Sequence, residues 1–113
     1  YYGCDFILNS SDALKFINYA KIKNLAINFD TGNALLEKDK IKILTKHQVY
    51  FKNFQISEKN LSSLKKDTKR HKELLGKFDI KKKFISLEIL NVNLKDLERN
   101  INLFKSITSF DRQ

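Results

Sequence analysis

A short apolar run, Leu25-Ala26-Ile27-Asn28-Phe29, ends on a carboxylate at Asp30 and is followed by a helical pattern. Two further apolar runs also end on a polar residue, the amide of Gln55 and the carboxylate of Glu88, and each is followed by a helical pattern. In parallel βα folds the carboxyl ends of the strands converge on one face, so side chains far apart in the sequence meet there. The pattern therefore predicts a fold of alternating strands and helices with a site at one end of the sheet.

Hydrophobic periodicity around these runs predicts the element order αβαβαβα. The strands are predicted at 25–29, 49–56 and 84–90. The helices are predicted from a cap at Ser10 or Ser11 to about residue 24, between Ala34 and Leu44, from Asp67 or Thr68 to near Gly76, and from Leu94 to Ile107. Residues 57–66 form a polar loop of the length that often carries function. No proline or linker divides the chain, so residues 1–113 are interpreted as a single domain or one portion of a domain.

Length and composition narrow the class of protein. The 113 residues, 42% of them hydrophobic, suffice for one small domain with a modest core. No apolar stretch of 18 residues occurs, so no membrane span is expected. The lone cysteine, Cys4, excludes an internal disulfide and favours a reducing, cytoplasmic compartment, and it is expected to be buried rather than reactive. One Cys and two His exclude a Cys/His zinc cluster.

The positive charge is concentrated in one stretch. Residues 65–83 contain nine Lys or Arg and three Asp or Glu, a surplus of six within a formal net charge of +9. One interpretation is an electrostatic surface for nucleic acid. The other is a solvated helix face, which the sequence favours because Lys far outnumbers Arg and the bidentate phosphate contact is a property of Arg.

Three parallel strands with four helices do not easily form a complete domain. Parallel sheets are covered on both faces, and the two outer strands would leave unpaired edges. A (β/α)8 barrel has about 250 residues, roughly twice the length of this chain. The chain is therefore expected to be the back portion of a larger domain.

Three short motifs, Asp30-Thr31-Gly32-Asn33, Phe54-Gln55-Ile56-Ser57-Glu58 and Ile85-Ser86-Leu87-Glu88, carry a resemblance to a known family. They resemble the C-terminal half of the sugar phosphate isomerase/epimerase family, within the xylose-isomerase-like TIM barrels that also include ketohexose 3-epimerases and the endonuclease IV type of repair enzyme. The opening Tyr2-Gly3-Cys4-Asp5-Phe6, followed by Asn9, resembles the segment after the fifth strand of that family. The resemblance implies an α/β fold that is a partial (β/α)8 TIM barrel, with a parallel sheet corresponding to strands six to eight and flanking helices.

The resemblance also implies a metal site. In that family a divalent metal lies at the C-terminal mouth of the barrel, held by a Glu, an Asp, a His and a Glu from strands five to eight. Asp30 and Glu88 match the second and fourth ligands, Gln55 stands where His is usual, and the first ligand would precede Tyr1. The expected cofactor is Mn, Mg, Co or Zn, held by Asp30, Gln55 and Glu88. Gln55 would be a neutral and weaker ligand.

The activity implied by the resemblance is the movement of a hydrogen between neighbouring carbons of a sugar or sugar phosphate. Deprotonation next to a carbonyl gives an enediolate, whose charge the metal spreads while a carboxylate removes and returns the proton. The candidate catalytic residues are Glu88, Glu58 and His71. Glu58 matches an acid after strand seven of the family, and His71 matches a histidine on the approach to helix seven.

Each candidate also has a purely structural explanation. Asp30 can cap the following helix, Gln55 can point to solvent, and Glu88 can form an ion pair with a lysine. Glu58 can be a loop acid in water, and His71 can be a surface residue of a basic helix. These alternatives stay open at the level of the sequence.

Two other functions also stay open. One is a basic nucleic-acid-binding or endonuclease IV-like module, which is disfavoured because that enzyme type needs many His ligands and only His47 and His71 are present. The other is a degenerate barrel fragment without catalysis, which the substitution at Gln55 indicates. For the isomerase, the expected partners are its sugar substrate and the missing N-terminal half of the barrel or a second copy of the chain. No membrane partner is expected.

Overall fold

A three-stranded parallel sheet organises the chain. The computed structural model describes residues 6–35, 41–90 and 92–109. Strands β1 (Ile27–Asp30), β2 (Phe51–Ile56) and β3 (Phe84–Leu87) lie in the order β1-β2-β3, and both neighbouring pairs are parallel. The predicted α/β class with a parallel sheet is confirmed. The opening motif that includes Cys4 lies outside the described residues, apart from Phe6 and Asn9.

Five helices flank the sheet in the described part of the chain. They are α1 (Ser10–Ala20), α2 (Thr31–Ala34), α3 (Ile41–Lys46), α4 (Lys69–Leu75) and α5 (Leu94–Thr108), with 3-10 turns at Gln48–Tyr50 and Lys59–Leu61. None of them has the length and apolar character needed to cross a lipid bilayer.

The helix predicted somewhere between Ala34 and Leu44 falls partly on residues 36–40, which lie outside the described part of the chain. Helix α2 begins at Thr31, directly after the strand, because the Asp30 side chain caps it by accepting the Asn33 N–H at 2.8 Å. A separate helix, α3, begins at Ile41. Strand β2 is also shorter than predicted, since Val49 and Tyr50 belong to a 3-10 turn.

Asparagine side chains cap the two longest helices. Asn9 accepts the Asp12 N–H at 2.9 Å, so it caps α1 in place of the predicted Ser10 or Ser11. The prediction was wrong by one residue because Asn9 has the extended backbone that a cap requires, whereas Ser10 is already helical. Asn93 accepts the Asp96 N–H in the same way and caps α5.

One face of the sheet packs against the helices through a cluster of aromatic rings. Phe29, Phe51, Phe54 and Phe78 have ring centroids 5.0 to 6.3 Å apart. Every helix adds buried side chains to the same core, namely Leu14, Ala34, Leu44, Leu74, Leu75 and Ile107. A single core therefore holds the strand ends in place.

The opposite face of the sheet is polar. Successive side chains on a strand point to opposite faces of the sheet. Asn28 and Gln55 therefore point away from the face on which Phe29 and Phe54 lie. Asn28 is exposed, and Asn53, Gln55 and Ser86 are half-buried. This alternation leaves a polar surface that leads to the carboxyl ends of the strands.

The basic stretch at residues 65–83 lies largely at the surface. Seven of its nine cations are exposed and two, Lys72 and Lys83, are half-buried. Burial and the neighbouring charge of Lys52 lower the pKa of Lys83, whose ammonium group donates to the Gln48 carbonyl. Lys69 forms an exposed pair with Glu73 at 3.8 Å.

Candidate functional site

The three strand ends meet at one cavity, as the sequence pattern predicted. Asp30, Gln55 and Glu88 all line a cavity of about 340 Å³, together with Asn28, Asn33 and Lys59. The sheet register explains this convergence. Asp30 is directly opposite Gln55, Gln55 is directly opposite Ser86, and Glu88 lies two residues further along.

Asp30 has two roles in the structure. Its carboxylate caps α2 through the Asn33 N–H, as its structural alternative proposed. It also accepts the Ser57 hydroxyl, with Oγ 2.9 Å from Oδ1 and 3.0 Å from Oδ2. These bonds hold the half-buried carboxylate at the cavity wall.

Gln55 and Glu88 are hydrogen-bonded to each other. The Gln55 side-chain amide donates to Glu88 Oε2, and Gln55 Oε1 accepts from the Asn28 amide. The contact ties β2 to the residue that follows β3. In the described part of the chain, the Glu88 carboxylate therefore contacts an amide, not the lysine of its structural alternative.

A ladder of amides continues from this pair along the polar face. The Asn53 amide donates to Asn28 Oδ1 at 2.7 Å and to Ser86 Oγ at 3.1 Å. Neither Asn28 nor Asn53 was singled out from the sequence. The signal that could have found them is the alternation of polar and apolar residues within the strands.

Glu58 is buried and paired with two bases. Its carboxylate lies 3.3 Å from Arg70 Nη2 and 3.1 Å from His71 Nε2. Burial alone would raise the pKa of Glu58, but the hydrogen bond and charge of His71, the Lys65 N–H and the charge of Arg70 together lower it. Glu58 is therefore ionised at neutral pH, and it lines the cavity.

His71 lies behind the cavity wall. It is buried, with Nε2 against Glu58 and Nδ1 3.1 Å from Thr31 Oγ1. The structural alternatives, a surface histidine and a loop acid in water, are both wrong because the two side chains bury each other. Direct contact between His71 and a ligand would require at least one of these bonds to break.

The turn beside the cavity has an unusual backbone. Asn60 and Leu61 have φ of 59° and 54°, a left-handed conformation that a leucine rarely adopts. The Leu61 N–H donates to the Glu58 carbonyl at 3.0 Å, and the Leu61 carbonyl accepts the Leu90 N–H at 2.8 Å. These bonds hold a strained residue against the cavity, which Leu61 also lines.

The donors at the strand ends are oxygen atoms. Asp30 and Glu88 offer carboxylates, and Gln55 offers an amide carbonyl. Within residues 6–35, 41–90 and 92–109, no three His, Cys, Asp or Glu side chains are grouped so that they could hold a metal. A set of two carboxylates and an amide contains hard donors of the kind that suit Mg or Mn.

Comparisons of this chain with known protein families, with curated proteins and with solved structures found no match. The fold and the cavity therefore define the class, a small α/β protein with a polar site at the carboxyl ends of a parallel sheet.

Proposed function

We propose that this chain is the C-terminal part of a metal-dependent sugar or sugar-phosphate isomerase or epimerase. The observation that carries the proposal is that Asp30, Gln55 and Glu88, each at the end of a different parallel strand, line one cavity. Ligands in parallel α/β sheets bind at this end of the strands. The resemblance of the three strand-end motifs to that family adds the reaction.

The proposed chemistry assigns a role to each side chain. Asp30 and Glu88 would hold a divalent metal, with the Gln55 carbonyl as a neutral third ligand. A metal held by these side chains would supply positive charge that stabilises negative charge on the oxygens of the substrate. Glu88 is also the proposed carboxylate that removes and returns the proton, and Asn28 and Asn33, which line the cavity, would contact the sugar hydroxyls.

The proposal includes a larger barrel of which this sheet is one part. Among the described residues β1 and β3 are the sheet edges, which leave backbone groups unpaired, and parallel sheets are normally covered on both faces. Helix α5, next to β3, has an exposed apolar stripe of Leu94, Leu97 and Ile101. A further βα unit beside β3 would cover both features. Its source would be the missing first half or a second copy of this chain.

Calorimetric titration of Mn²⁺ or Co²⁺ into the chain tests the metal site. We expect binding by the wild type, and a loss of at least tenfold in affinity in Glu88→Ala or Asp30→Asn because each removes a charged ligand. Glu98→Ala, which removes an exposed acid of α5, is the matched control and should bind as the wild type does. If Glu88→Ala binds the metal as tightly as the wild type does, Glu88 is not a ligand.

Gln55→His tests whether the barrel is degenerate. An imidazole is a stronger ligand than an amide carbonyl, so this variant should bind Co²⁺ more tightly than the wild type does. Binding by the variant alone would favour a degenerate site in the natural chain. Absence of binding in both proteins would contradict a metal site at these strand ends.

The nucleic-acid alternative has less support from the contacts. Arg70, the one arginine within residues 65–83, directs its Nη2 to the buried Glu58 carboxylate, so part of its guanidinium is already engaged within the protein. Filter binding with duplex and single-stranded DNA across salt concentrations tests it, since phosphate-driven binding weakens steeply as salt rises. No retention at low salt would exclude this function.

A further inference from the structure

A continuous hydrogen-bonded path runs behind the cavity wall and ends on the Asp30 carboxylate. Glu58 Oε1 lies 3.1 Å from His71 Nε2, and His71 Nδ1 lies 3.1 Å from Thr31 Oγ1. Thr31 Oγ1 accepts the Ser57 N–H at 3.2 Å. The Ser57 hydroxyl donates to both oxygens of Asp30. The path therefore crosses from the start of α4 to the end of β1.

Every intermediate member of this path is buried. Thr31 is fully buried, Ser57 and His71 are 1% exposed, and Glu58 is 5% exposed. Water therefore has little access to the bonds around Thr31 and His71, and a group left without its partner there would carry the full desolvation penalty. The described side chains include no buried nitrogen or oxygen without a partner, so the network is complete.

The first step of the path has a defined donor. A carboxylate can only accept, so the hydrogen shared by Glu58 and His71 is on Nε2. The Thr31 hydroxyl oxygen lies 3.1 Å from His71 Nδ1 and 3.5 Å from the Ser57 carbonyl oxygen. The Thr31 oxygen also accepts the Ser57 N–H at 3.2 Å, so Thr31 contacts both backbone groups of the residue whose hydroxyl holds Asp30.

We infer that Glu58 and His71 are positioning residues, which hold the Asp30 carboxylate in place through Thr31 and Ser57. This inference deepens the proposed function and rests on it only for what Asp30 does once it is held. It assigns Glu58 and His71 an indirect role, in place of the substrate contact expected from the sequence. Arg70 stabilises the outer end of the path because it bonds both oxygens of Glu58 at 3.3 Å.

The Asn33 amide offers a readout at the far end of the path. Its N–H donates to Asp30 Oδ1 at 2.8 Å, on a residue that contacts neither Glu58 nor His71 through the bonds described above. In the full chain labelled with ¹⁵N, we expect His71→Gln and Glu58→Gln to shift the Asn33 amide resonance. We also expect them to speed its hydrogen exchange about tenfold, the equivalent of one lost hydrogen bond.

Matched variants separate positioning from general loosening. Glu73→Gln and His47→Gln change the same residue types outside the path and should leave the Asn33 amide unchanged. Thr31→Ser, which keeps the hydroxyl, should preserve the wild-type exchange, whereas Thr31→Val should not. In a Ser57→Ala background His71→Gln should have no further effect on Asn33, because the link to Asp30 is already cut.

The outcomes distinguish this inference from the proposed metal function. An Asn33 amide that is unaffected by His71→Gln, or affected equally with and without Ser57, would overturn the positioning role. If His71→Gln does not fold, the Thr31→Ser and Thr31→Val pair decides the same question. Co²⁺ titration of the same variants is read separately. A wild type that binds no Co²⁺ but shows the Asn33 effects would refute the metal site and leave the positioning role standing.

Discussion

At the scale of single residues, the packing of Gly32 against Ser57 controls the cavity wall. A Cβ at residue 32 would lie 2.6 Å from Ser57 Oγ, 3.1 Å from the Ser57 carbonyl oxygen and 3.2 Å from the Glu58 carbonyl carbon. The Ser57 hydroxyl could rotate away only by giving up its bonds to Asp30, and the backbone atoms cannot move independently. The glycine is therefore required for close approach between α2 and the end of β2.

Gly32→Ala should destabilise the protein by about 1–3 kcal/mol, the usual range for adding a methyl group to a packed site. The measurement is the free energy of unfolding from urea denaturation. Gly76→Ala is the matched control, because Gly76 is exposed and has a right-handed helical backbone with φ of −62°. That change should be neutral or stabilise by about 0.4–1 kcal/mol. Equal effects at the two glycines would contradict the close approach.

The ionisation of Glu58 should make the free energy of unfolding depend on pH in the acidic range. Its folded-state pKa is lowered, so the folded protein binds fewer protons than the unfolded chain does. The stabilisation is therefore present above the ordinary Glu pKa of about 4.5 and is lost as the pH falls through the folded-state value. Urea midpoints measured against pH should fall less steeply below about pH 4.5 in Glu58→Gln than in the wild type.

The control for this pH dependence is Glu73→Gln, which removes an exposed acid that is paired only at the surface. The urea midpoint of this variant should fall with decreasing pH as that of the wild type does. If the urea midpoint of Glu58→Gln falls just as steeply as that of the wild type, the contribution of Glu58 is refuted.

At the scale of elements, α5 anchors the polar loop that follows β2. Asn100 is fully buried, and its Oδ1 accepts the Leu64 N–H at 2.6 Å while its amide donates to the Asp96 carbonyl at 2.7 Å. Arg99 donates to the Leu64 carbonyl at 3.1 Å. Both backbone groups of Leu64 are thus satisfied by one helix, so the loop is held in place there.

Asn100→Ala should destabilise the protein by about 1–3 kcal/mol, because it leaves the buried Leu64 N–H without a partner. Thermal or urea unfolding measures the effect. Asn102→Ala, on the exposed side of the same helix, should be neutral or slightly stabilising because Ala is the better helix former. A loss no larger than that of the Asn102 variant would show that α5 does not anchor the loop.

At the scale of the whole molecule, one aromatic core unites the sheet with all five helices. Phe54 is central to it, because its ring lies 5.3 Å from those of both Phe29 and Phe78. Helices, strands and the cavity wall therefore depend on the same cluster. Loss of this core should unfold the described part of the chain as one cooperative unit.

Phe54→Ala should destabilise the protein by about 3–5 kcal/mol, the range for truncating a fully buried Phe. Phe84→Ala, on the same sheet but 78% exposed, should change stability by less than about 0.5 kcal/mol. Both free energies of unfolding are measured by urea denaturation, and the same dependence on urea concentration (m value) is used for the two variants. A similar loss in the two variants would contradict the assignment of one apolar and one polar face to the sheet.

Local pattern was enough to predict the alternating α/β order, the parallel sheet and the three polar strand ends. Side chains alternate along each strand and register is fixed by neighbours, so Asp30, Gln55 and Glu88 could be expected at one edge. Smaller features were predicted incorrectly from the local sequence. The cap of α1 is Asn9 and not Ser10 or Ser11, and the start of a helix at Thr31 was missed because apolar spacing alone does not show which side chain caps a helix.

Tertiary packing alone decided the surroundings of Glu58 and His71. The two are 13 residues apart, and His71 meets Thr31 across 40 residues. A polar residue in a basic stretch carries no local sign that the fold will bury it, because burial depends on which elements pack together. The strand ends were therefore predictable from the sequence itself, whereas the buried path that holds Asp30 exists only once His71 of α4 lies against Thr31 and Glu58.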